Sequence, residues 1–188
     1  TQEAQHAQPT RGNMEYRRAR TAGGTYFFTV NLVDRHSNLL VRHIDSLRDA
    51  IAQVKARHPF TQIAMVVMPE HIHAIWRLPP DDDDYPTRWG LIKSGFSRSL
   101  PRKEFIGNSR AGKRERGIWQ RRFWEHQMHD ENDLARHVDY IHFNPVKHGW
   151  VASVVDWPHS TFHGYVARGL LSADWGGSGG ESGEFGER

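Results

Sequence analysis

Two histidines separated by a single residue are the first feature of the sequence that suggests chemistry. His71 and His73 flank Ile72 in HIHAIWRL, a segment rich in β-branched and aromatic residues that predicts a strand. Side chains two residues apart in a strand point to the same face, so the two imidazoles project together. Two such imidazoles can bind one divalent metal ion. The alternative is that they are polar residues on the exposed face of an edge strand, because the chain contains 13 His.

A tyrosine and an asparagine one helical turn apart form the second feature. Sequence periodicity predicts a helix that begins at a cap, Asp130, and ends before Pro145. Its predicted buried stripe consists of Leu134, Val138 and Ile141. Tyr140 lies about 200° around the helix from Val138, off that stripe, and Asn144 shares its face. The alternative is that Tyr140 caps the edge of the core as an amphipathic residue.

These two features together fit one reaction. A phenol can attack a phosphodiester when a metal ion polarises the phosphate and stabilises the departing 3′ oxygen. The product is a covalent phosphotyrosine, which conserves the bond energy for rejoining. The metal depends on the third ligand: zinc is commonly bound by imidazoles, whereas Mg²⁺ or Mn²⁺ fits better if that ligand is an amide oxygen and the substrate is a phosphodiester.

Hydrophobic patterning predicts the elements that must position these residues. A helix is expected from Ile44 until Pro59, and further helices over residues 87–100 and from 130 to about 143. Strands are expected over residues 25–33, 63–68, 71–78 and 117–126. This order predicts an α+β fold, a ferredoxin-like sandwich with helices on one face of a mainly antiparallel sheet. Residues 151–171 are expected to pack back on the body.

Length and composition limit the class of protein. The 188 residues predict a single catalytic domain over 14–171, with a flexible leader at 1–13 and a Gly-rich, acidic tail at 172–188. The absence of Cys excludes a disulfide scaffold, Cys-ligated metal and thiol catalysis. No run approaches the ~18 apolar residues that a membrane span needs, so we expect no membrane partner and a cytoplasmic location.

Basic residues are concentrated in one stretch although the formal net charge is only +3. Residues 98–122 contain nine Lys or Arg against two Glu. Trp119 lies within this stretch, and Phe123 and Trp124 follow it directly. Cations beside flat aromatic rings suit a phosphate backbone with splayed bases, although a solvated loop is the alternative. The residues predicted to bind DNA are Arg17, Arg18, Arg20, Arg110, Lys113, Arg114, Arg116, Arg121 and Arg122.

Several motifs resemble those of one family. MPEHIHAIWRLP (68–79) resembles the His-hydrophobic-His signature of the single-tyrosine HUH transposases. HVDYIHFNPVKHGWV (137–151) resembles their tyrosine helix, in the form typical of REP-associated tyrosine transposases. The segments GTYFFTVNL, IWQRRFWEH and WPHSTFH are also similar to that family, so the resemblance covers most of the chain.

The resemblance implies roles for particular residues and a substrate. Tyr140 is the implied nucleophile, His71 and His73 are implied metal ligands, and Asn144 stands where the family places a third ligand. Glu125 and His126 match a Trp-Glu-His segment, without an implied role. The implied substrate is single-stranded DNA from repetitive extragenic palindromes, folded as a hairpin, in the nucleoid of a bacterium. Members with this motif style are expected to be monomers, while wider relatives are dimers.

Four hypotheses for function are compatible with these residues. The preferred one is metal-dependent cleavage and joining of single-stranded DNA through a covalent 5′-phosphotyrosine. The second is a non-catalytic protein that binds DNA hairpins on the same fold. A replication initiator or relaxase with the same chemistry is disfavoured, since such proteins usually have extra domains. A zinc-binding structural protein would depend on metal for folding.

Overall fold

A single antiparallel sheet organises the part of the chain that the computed structural model describes, residues 20–102 and 116–176. Its strand order is β2-β3-β1-β4. The strands are β1 (Thr25–Asn31), β2 (Thr61–Val67), β3 (His71–Arg77) and β4 (Trp124–Gln127). With a helical connection between β1 and β2 and another between β3 and β4, this order is that of a ferredoxin-like fold, and the predicted α+β class is confirmed.

Helices cover both faces of the sheet, so the prediction that they lie on one face is wrong. Two of them, α2 and α3, pack on one face, while α4 packs on the other. The helices are α1 (Leu39–Arg42), α2 (Ile44–Arg57), α3 (Tyr85–Ser99), α4 (Glu131–Lys147) and α5 (Phe162–Ala167), with a 3₁₀ turn at Val154–Asp156. None of these described helices is long and apolar enough to span a membrane.

Alternation along β1 explains why both faces of the sheet are covered. Tyr26, Phe28 and Val30 lie in the cluster that packs against α2 and α3, and each has no exposed surface. Phe27 lies in the cluster on the α4 side and is also fully buried. Successive residues of a strand point to opposite faces, so large apolar side chains at adjacent positions require a cover on each side.

Two predicted element boundaries differ from the structure. Of residues 117–126, only the end belongs to a strand, since β4 begins at Trp124 and Trp119 makes a single bridge with Leu32. Helix α4 does not end before Pro145 but continues to Lys147. Proline removes only one N–H here, two residues before the end of the helix, so the cost is small. The helix then stops at Gly149, whose positive φ of 71° favours glycine.

The buried stripe of α4 is mainly polar, which corrects the predicted stripe. Leu134 and Val138 are only partly buried. The side chains that are buried toward the sheet are Asp133, His137, Tyr140, Ile141 and Asn144. Tyr140 is therefore on the buried stripe and not off it. The facing half of the sheet is also polar, because Thr29, Asn31, His71 and His73 are buried there.

The segment after α4 packs back against β2 as expected. The indole N–H of Trp157 donates to the carbonyl of Val67 at 3.1 Å, and the Met65 amide donates to the Thr161 hydroxyl at 2.9 Å. His142, on the side of α4 away from the catalytic candidates, lies 3.1 Å from the same hydroxyl through Nε2. Its ring contacts Tyr165 at 4.7 Å between centroids.

Burial of His142 predicts a loss of stability in acid. Burial lowers the pKa of His142 from 6.5 to about 4, and the facing Tyr165 is neutral in this range because burial raises its pKa. The contribution of neutral His142 to the free energy of unfolding is fully present above pH 6.5. It is lost as the pH falls toward 4, because in this range only the unfolded chain takes up the proton. We expect the titration of His142 to lower the free energy of unfolding by about 2–3 kcal/mol between pH 7 and pH 4.5.

The measurement is urea unfolding of wild type and His142→Gln at both pH values. The Gln variant keeps a hydrogen-bond donor but cannot titrate. The acid-dependent loss should be smaller in the variant by that amount. An equal loss in both proteins would contradict the assignment of this titration to His142.

Candidate active site

Strand β3 presents the two histidines to α4 from inside the fold. His71 and His73 pair across the sheet with Asn31 and Thr29, and their rings lie 4.6 Å apart between centroids. Both side chains are buried, with relative exposures of 1% and 0%. Because β3 lies between β2 and β1, it is not an edge strand. The alternative that the histidines are exposed polar residues of an edge strand is therefore wrong.

Each imidazole is held at one ring nitrogen by a neighbouring side chain. Nδ1 of His71 lies 2.8 Å from Oε1 of Glu70, and Nδ1 of His73 lies 3.0 Å from the Thr29 hydroxyl. A carboxylate accepts, so Nδ1 of His71 donates to Glu70, and Nε2 is the ring nitrogen that is left to face a ligand. Hydrogen bonds of this kind orient metal-binding histidines in proteins and make them more basic.

The electrostatic surroundings of His73 favour the neutral form of its imidazole at pH 7. Burial lowers the pKa of His73 well below 6.5, and the positive potential of His71, His148, Lys147 and Arg35 lowers it further. Burial alone would raise the pKa of Glu70, but the hydrogen bond with His71, a backbone hydrogen bond and the electrostatic interactions with His71 and Arg35 together outweigh it, and the net direction is down. His73 is thus uncharged and Glu70 ionised at pH 7.

Helix α4 places Tyr140 against His73 of the histidine pair. The Tyr140 ring lies 5.2 Å from the His73 ring between centroids, in an edge-on arrangement, and 6.1 Å from Phe27. Asn144 follows one turn later on the same buried stripe and is fully buried. His71, His73 and Tyr140, which were predicted on separate elements, are therefore brought together, with Asn144 beside them on the helix.

Several residues near the pair were missed in the sequence. Besides Glu70 and Thr29, they include Lys147, whose Nζ lies 4.7 Å from the centre of the Tyr140 ring, and His148, whose ring lies 5.8 Å from that of His71. A signal existed for two of them. Lys147 follows Tyr140 by seven residues, which is the same helix face, and Glu70 directly precedes His71.

A divalent metal fits the donor set at the histidine pair. Nε2 of His71 is buried and has no hydrogen-bond partner among the described residues. An imidazole lone pair held inside the protein in this way is costly unless a ligand satisfies it. Two imidazoles and an amide oxygen form a donor set that suits a divalent cation and leaves positions for phosphate oxygens.

A second cluster of possible ligands lies where α4 begins. The ligand atoms of His126, Asp133 and His137 all lie within 4.8 Å of one another, a spacing that one metal ion can bridge. Nε2 of His126 is 2.8 Å from Oδ2 of Asp133. Nδ1 of His137 is 2.8 Å from the Asp133 carbonyl oxygen and 3.1 Å from Oδ1.

These distances support a hydrogen-bond network that fixes α4 to β4. Nδ1 of His137 must carry a proton to donate to a carbonyl, so this nitrogen serves the network and not a metal. Burial would raise the pKa of Asp133, but hydrogen bonds from His126 and the His129 amide lower it overall. The His137 ring lies 4.9 Å from Phe27, which in turn contacts His73. His126 of the Trp-Glu-His segment thus connects β4 to the first turn of α4.

The predicted DNA-binding residues occupy different environments. Arg116 donates to the carbonyls of Ser97, Leu100 and Pro101, so its guanidinium caps the end of α3. Arg20, Arg121 and Arg122 are exposed. Arg17, Arg18, Arg110, Lys113 and Arg114 lie outside the described residues, as do the predicted leader and most of the predicted tail.

Comparison with known proteins defines first a class and then a family. No protein-family model matches the chain. A REP-associated tyrosine transposase of Escherichia coli (strain K12) is 51% identical over 163 residues, which cover 87% of this chain and 91% of the relative. A Haemophilus influenzae protein with the same family name is 46% identical over 164 residues, covering 87% and 93%. The chain is therefore of the transposase class.

A solved structure agrees with the sequence comparison. It is described as a REP-associated tyrosine transposase bound to a REP hairpin, and it superposes with a TM-score of 0.80 at 49% identity. The match covers 93% of this chain and 97% of the other. The chain belongs to the REP-associated tyrosine transposases, which confirms the resemblance of its motifs. The expectation of a monomer stays a prediction.

Proposed function

We propose that this protein cleaves and rejoins single-stranded DNA at REP-type hairpins through a covalent bond between Tyr140 and a 5′ phosphate. The observation that carries the proposal is the contact of Tyr140 with the buried His73, at 5.2 Å between ring centroids, where His73 lies beside the buried His71. The hairpin substrate is taken from the structural neighbour, which is bound to a REP hairpin. The proposed place of action is accordingly the bacterial nucleoid.

The reaction assigns a role to each residue of the site. The Tyr140 oxygen forms a bond to phosphorus while the bond from phosphorus to the 3′ oxygen breaks. The phenolic proton passes to water, and the departing 3′ oxygen takes a proton from water. Rejoining is the same exchange in reverse, with a 3′ hydroxyl as the attacking group. Phe27 and the His137 network hold the tyrosine helix against the sheet during both steps.

His71, His73 and Asn144 are the proposed ligands of Mg²⁺ or Mn²⁺. When bound, the metal would polarise the phosphate and stabilise charge on the departing oxygen. Glu70 and Thr29 fix the orientation of the two imidazoles through their Nδ1 atoms. Burial keeps His73 neutral, since it lowers the pKa of that group, so that its lone pair is available at pH 7.

A denaturing gel separates this proposal from a protein that only binds hairpins. The protein is mixed with an end-labelled REP hairpin that has single-stranded flanks, with Mg²⁺ or Mn²⁺ or with EDTA. The proposal predicts a labelled band that migrates with the protein after denaturation, and a released strand with a free 3′ hydroxyl. A complex seen in a native gel but never after denaturation would establish binding alone.

Loss of either metal-binding histidine should reduce metal affinity and cleavage together. We expect His71→Gln and His73→Gln each to weaken Mn²⁺ binding and adduct formation by about 100-fold or more. Glutamine is preferred to alanine because both side chains are buried, so that alanine would leave a cavity. Calorimetric Mn²⁺ titration and single-turnover cleavage are the measurements.

The control for the histidine variants is His163→Gln, which changes an imidazole outside the site. Nε2 of His163 lies 2.9 Å from the Trp157 carbonyl oxygen. Unfolding midpoints of all three variants show whether the fold is retained. Cleavage at the wild-type rate by folded His71→Gln and His73→Gln proteins would contradict the metal assignment.

The basic stretch of residues 98–122 is proposed to bind the phosphates of the DNA backbone. Arg116 is left out of this set because it caps α3. Neutralising Arg110, Lys113 and Arg114 together should lower the slope of log K against log salt by about 2 units, since each single-strand phosphate contact adds ~0.7. The measurement is hairpin binding across a salt series. An unchanged slope would transfer the role to the exposed Arg20, Arg121 and Arg122.

A further inference from the structure

The last residue of α4 extends toward the proposed nucleophile. Nζ of Lys147 lies 3.5 Å from the Tyr140 hydroxyl oxygen, at the limit of a hydrogen bond, and 4.7 Å from the centre of its ring. The two residues are seven positions apart in one continuous helix and therefore share a face. Lys147 is only partly buried, in contrast to Tyr140, His71 and His73.

We propose that Lys147 is a second catalytic residue, whose ammonium stabilises the negative charge that develops on the Tyr140 oxygen and on the phosphate it attacks. This inference rests on the proposed function. Lys147 stays protonated throughout: it donates a hydrogen bond to the oxygen as the O–P bond forms, and the phenolic proton passes to water. In rejoining, the same ammonium stabilises the tyrosine oxygen as it leaves phosphorus.

The surroundings of Lys147 favour this role over simple packing on the ring. Nζ of Lys147 lies over the face of the Tyr140 ring and also approaches its hydroxyl oxygen. Packing on the ring requires only the first of these two contacts. Among the described residues, a further cation near the site is Arg35, which donates to Asn31 and lies 3.9 Å from Glu70, so its charge supports the carboxylate that holds His71. Lys147 is the cation directed at the reacting oxygen.

A charge series at position 147 tests the role. Adduct formation is measured in a single turnover with saturating REP hairpin and Mn²⁺. Removal of one preorganised donor to a developing oxyanion costs about 100-fold or more, so Lys147→Met should be slower by that factor while the hairpin Kd changes less than about threefold. Lys147→Arg, which keeps the charge, should recover at least about tenfold of the loss.

The matched control is Lys55→Met, because Lys55 also lies over an aromatic ring, with Nζ 5.9 Å from the centre of Phe60, but far from the site in the fold. This variant should form the adduct at the wild-type rate. A second readout is chemical rescue: added n-propylamine should accelerate Lys147→Ala, since a free ammonium can occupy the space of the lost one. Repacking alone would not respond to an amine.

The outcomes separate this inference from the proposed function. If wild type forms the adduct and Lys147→Met forms it equally fast, the role of Lys147 is refuted and the proposed function stands. If wild type forms no adduct under any metal condition, both fall together. If Lys147→Met unfolds, the test passes to Lys147→Arg and to the amine series on folded Lys147→Ala. Acceleration of Lys147→Ala by the amine supports the inference. Slow adduct formation by Lys147→Ala that the amine does not accelerate refutes it.

Discussion

Tyr140→Phe is expected to abolish the covalent DNA adduct while hairpin binding persists. The substitution removes one oxygen, which is the atom that the proposed function assigns as the nucleophile. Loss of a nucleophile removes the chemical step rather than weakening it, so the rate should fall by at least about a thousandfold. The ring keeps its packing against Phe27 and His73, so the fold should be retained.

Tyr165→Phe is the matched control for this variant. Tyr165 is also partly buried and its hydroxyl donates to the Ile63 carbonyl at 3.0 Å, but it lies on α5, in the segment that packs against β2. We expect Tyr165→Phe to form adduct normally and to lose about 1 kcal/mol of stability, as is typical for one hydrogen bond. A full-strength adduct from Tyr140→Phe would place the nucleophile elsewhere.

Arg88→Met is expected to cause the largest loss of stability, about 3 kcal/mol or more. The Arg88 side chain is 2% exposed and donates to both carboxylate oxygens of Asp82, at 2.9 and 2.6 Å. It also donates to the carbonyls of His58, Pro59 and Asp84. Its loss leaves these acceptors without their donor, and chemical denaturation measures the effect.

Arg48→Met provides the comparison for a surface ion pair. Arg48 and Asp45 are 3.2 Å apart, but their side chains are 55% and 89% exposed. Such a pair contributes well under ~1 kcal/mol, so this variant should unfold close to wild type. Because Arg88 is remote from Tyr140 in the fold, folded Arg88→Met protein at low temperature should still form the adduct. Equal stability losses in the two variants would contradict the importance of burial.

Local pattern was sufficient to predict most elements and their order. The strand that contains His71 and His73 was predicted because its residues are β-branched and aromatic, and the structure agrees within a residue. Sequence reasoning did not predict that helices cover both faces of the sheet, although a pattern in β1 indicates it. Phe27 and Phe28 are adjacent and both fully buried, and adjacent large apolar residues in a strand indicate two covered faces.

The residues of the candidate site could be named from the sequence, but their burial between α4 and the sheet could not. Asp133, His137, Tyr140 and Asn144 recur at helical spacing, yet a search for apolar periodicity selects Leu134 and Val138 instead. Polar residues become the buried stripe only because β1 and β3 bury polar partners opposite them, and one segment alone does not reveal that pairing. The same applies to Arg116, whose acceptors are the carbonyls at the end of a helix distant in sequence.

Peptide mapping of the covalent adduct tests the central claim most directly. Trypsin cleaves after Arg136 and Lys147, so Tyr140 falls in the peptide HVDYIHFNPVK, in which it is the sole tyrosine. After reaction with a REP hairpin and Mn²⁺, nuclease trimming and digestion, mass spectrometry should find this peptide with a nucleotide 5′-phosphate on Tyr140. A nucleotide on any other peptide, or unmodified HVDYIHFNPVK in adduct isolated from a denaturing gel, would contradict the account.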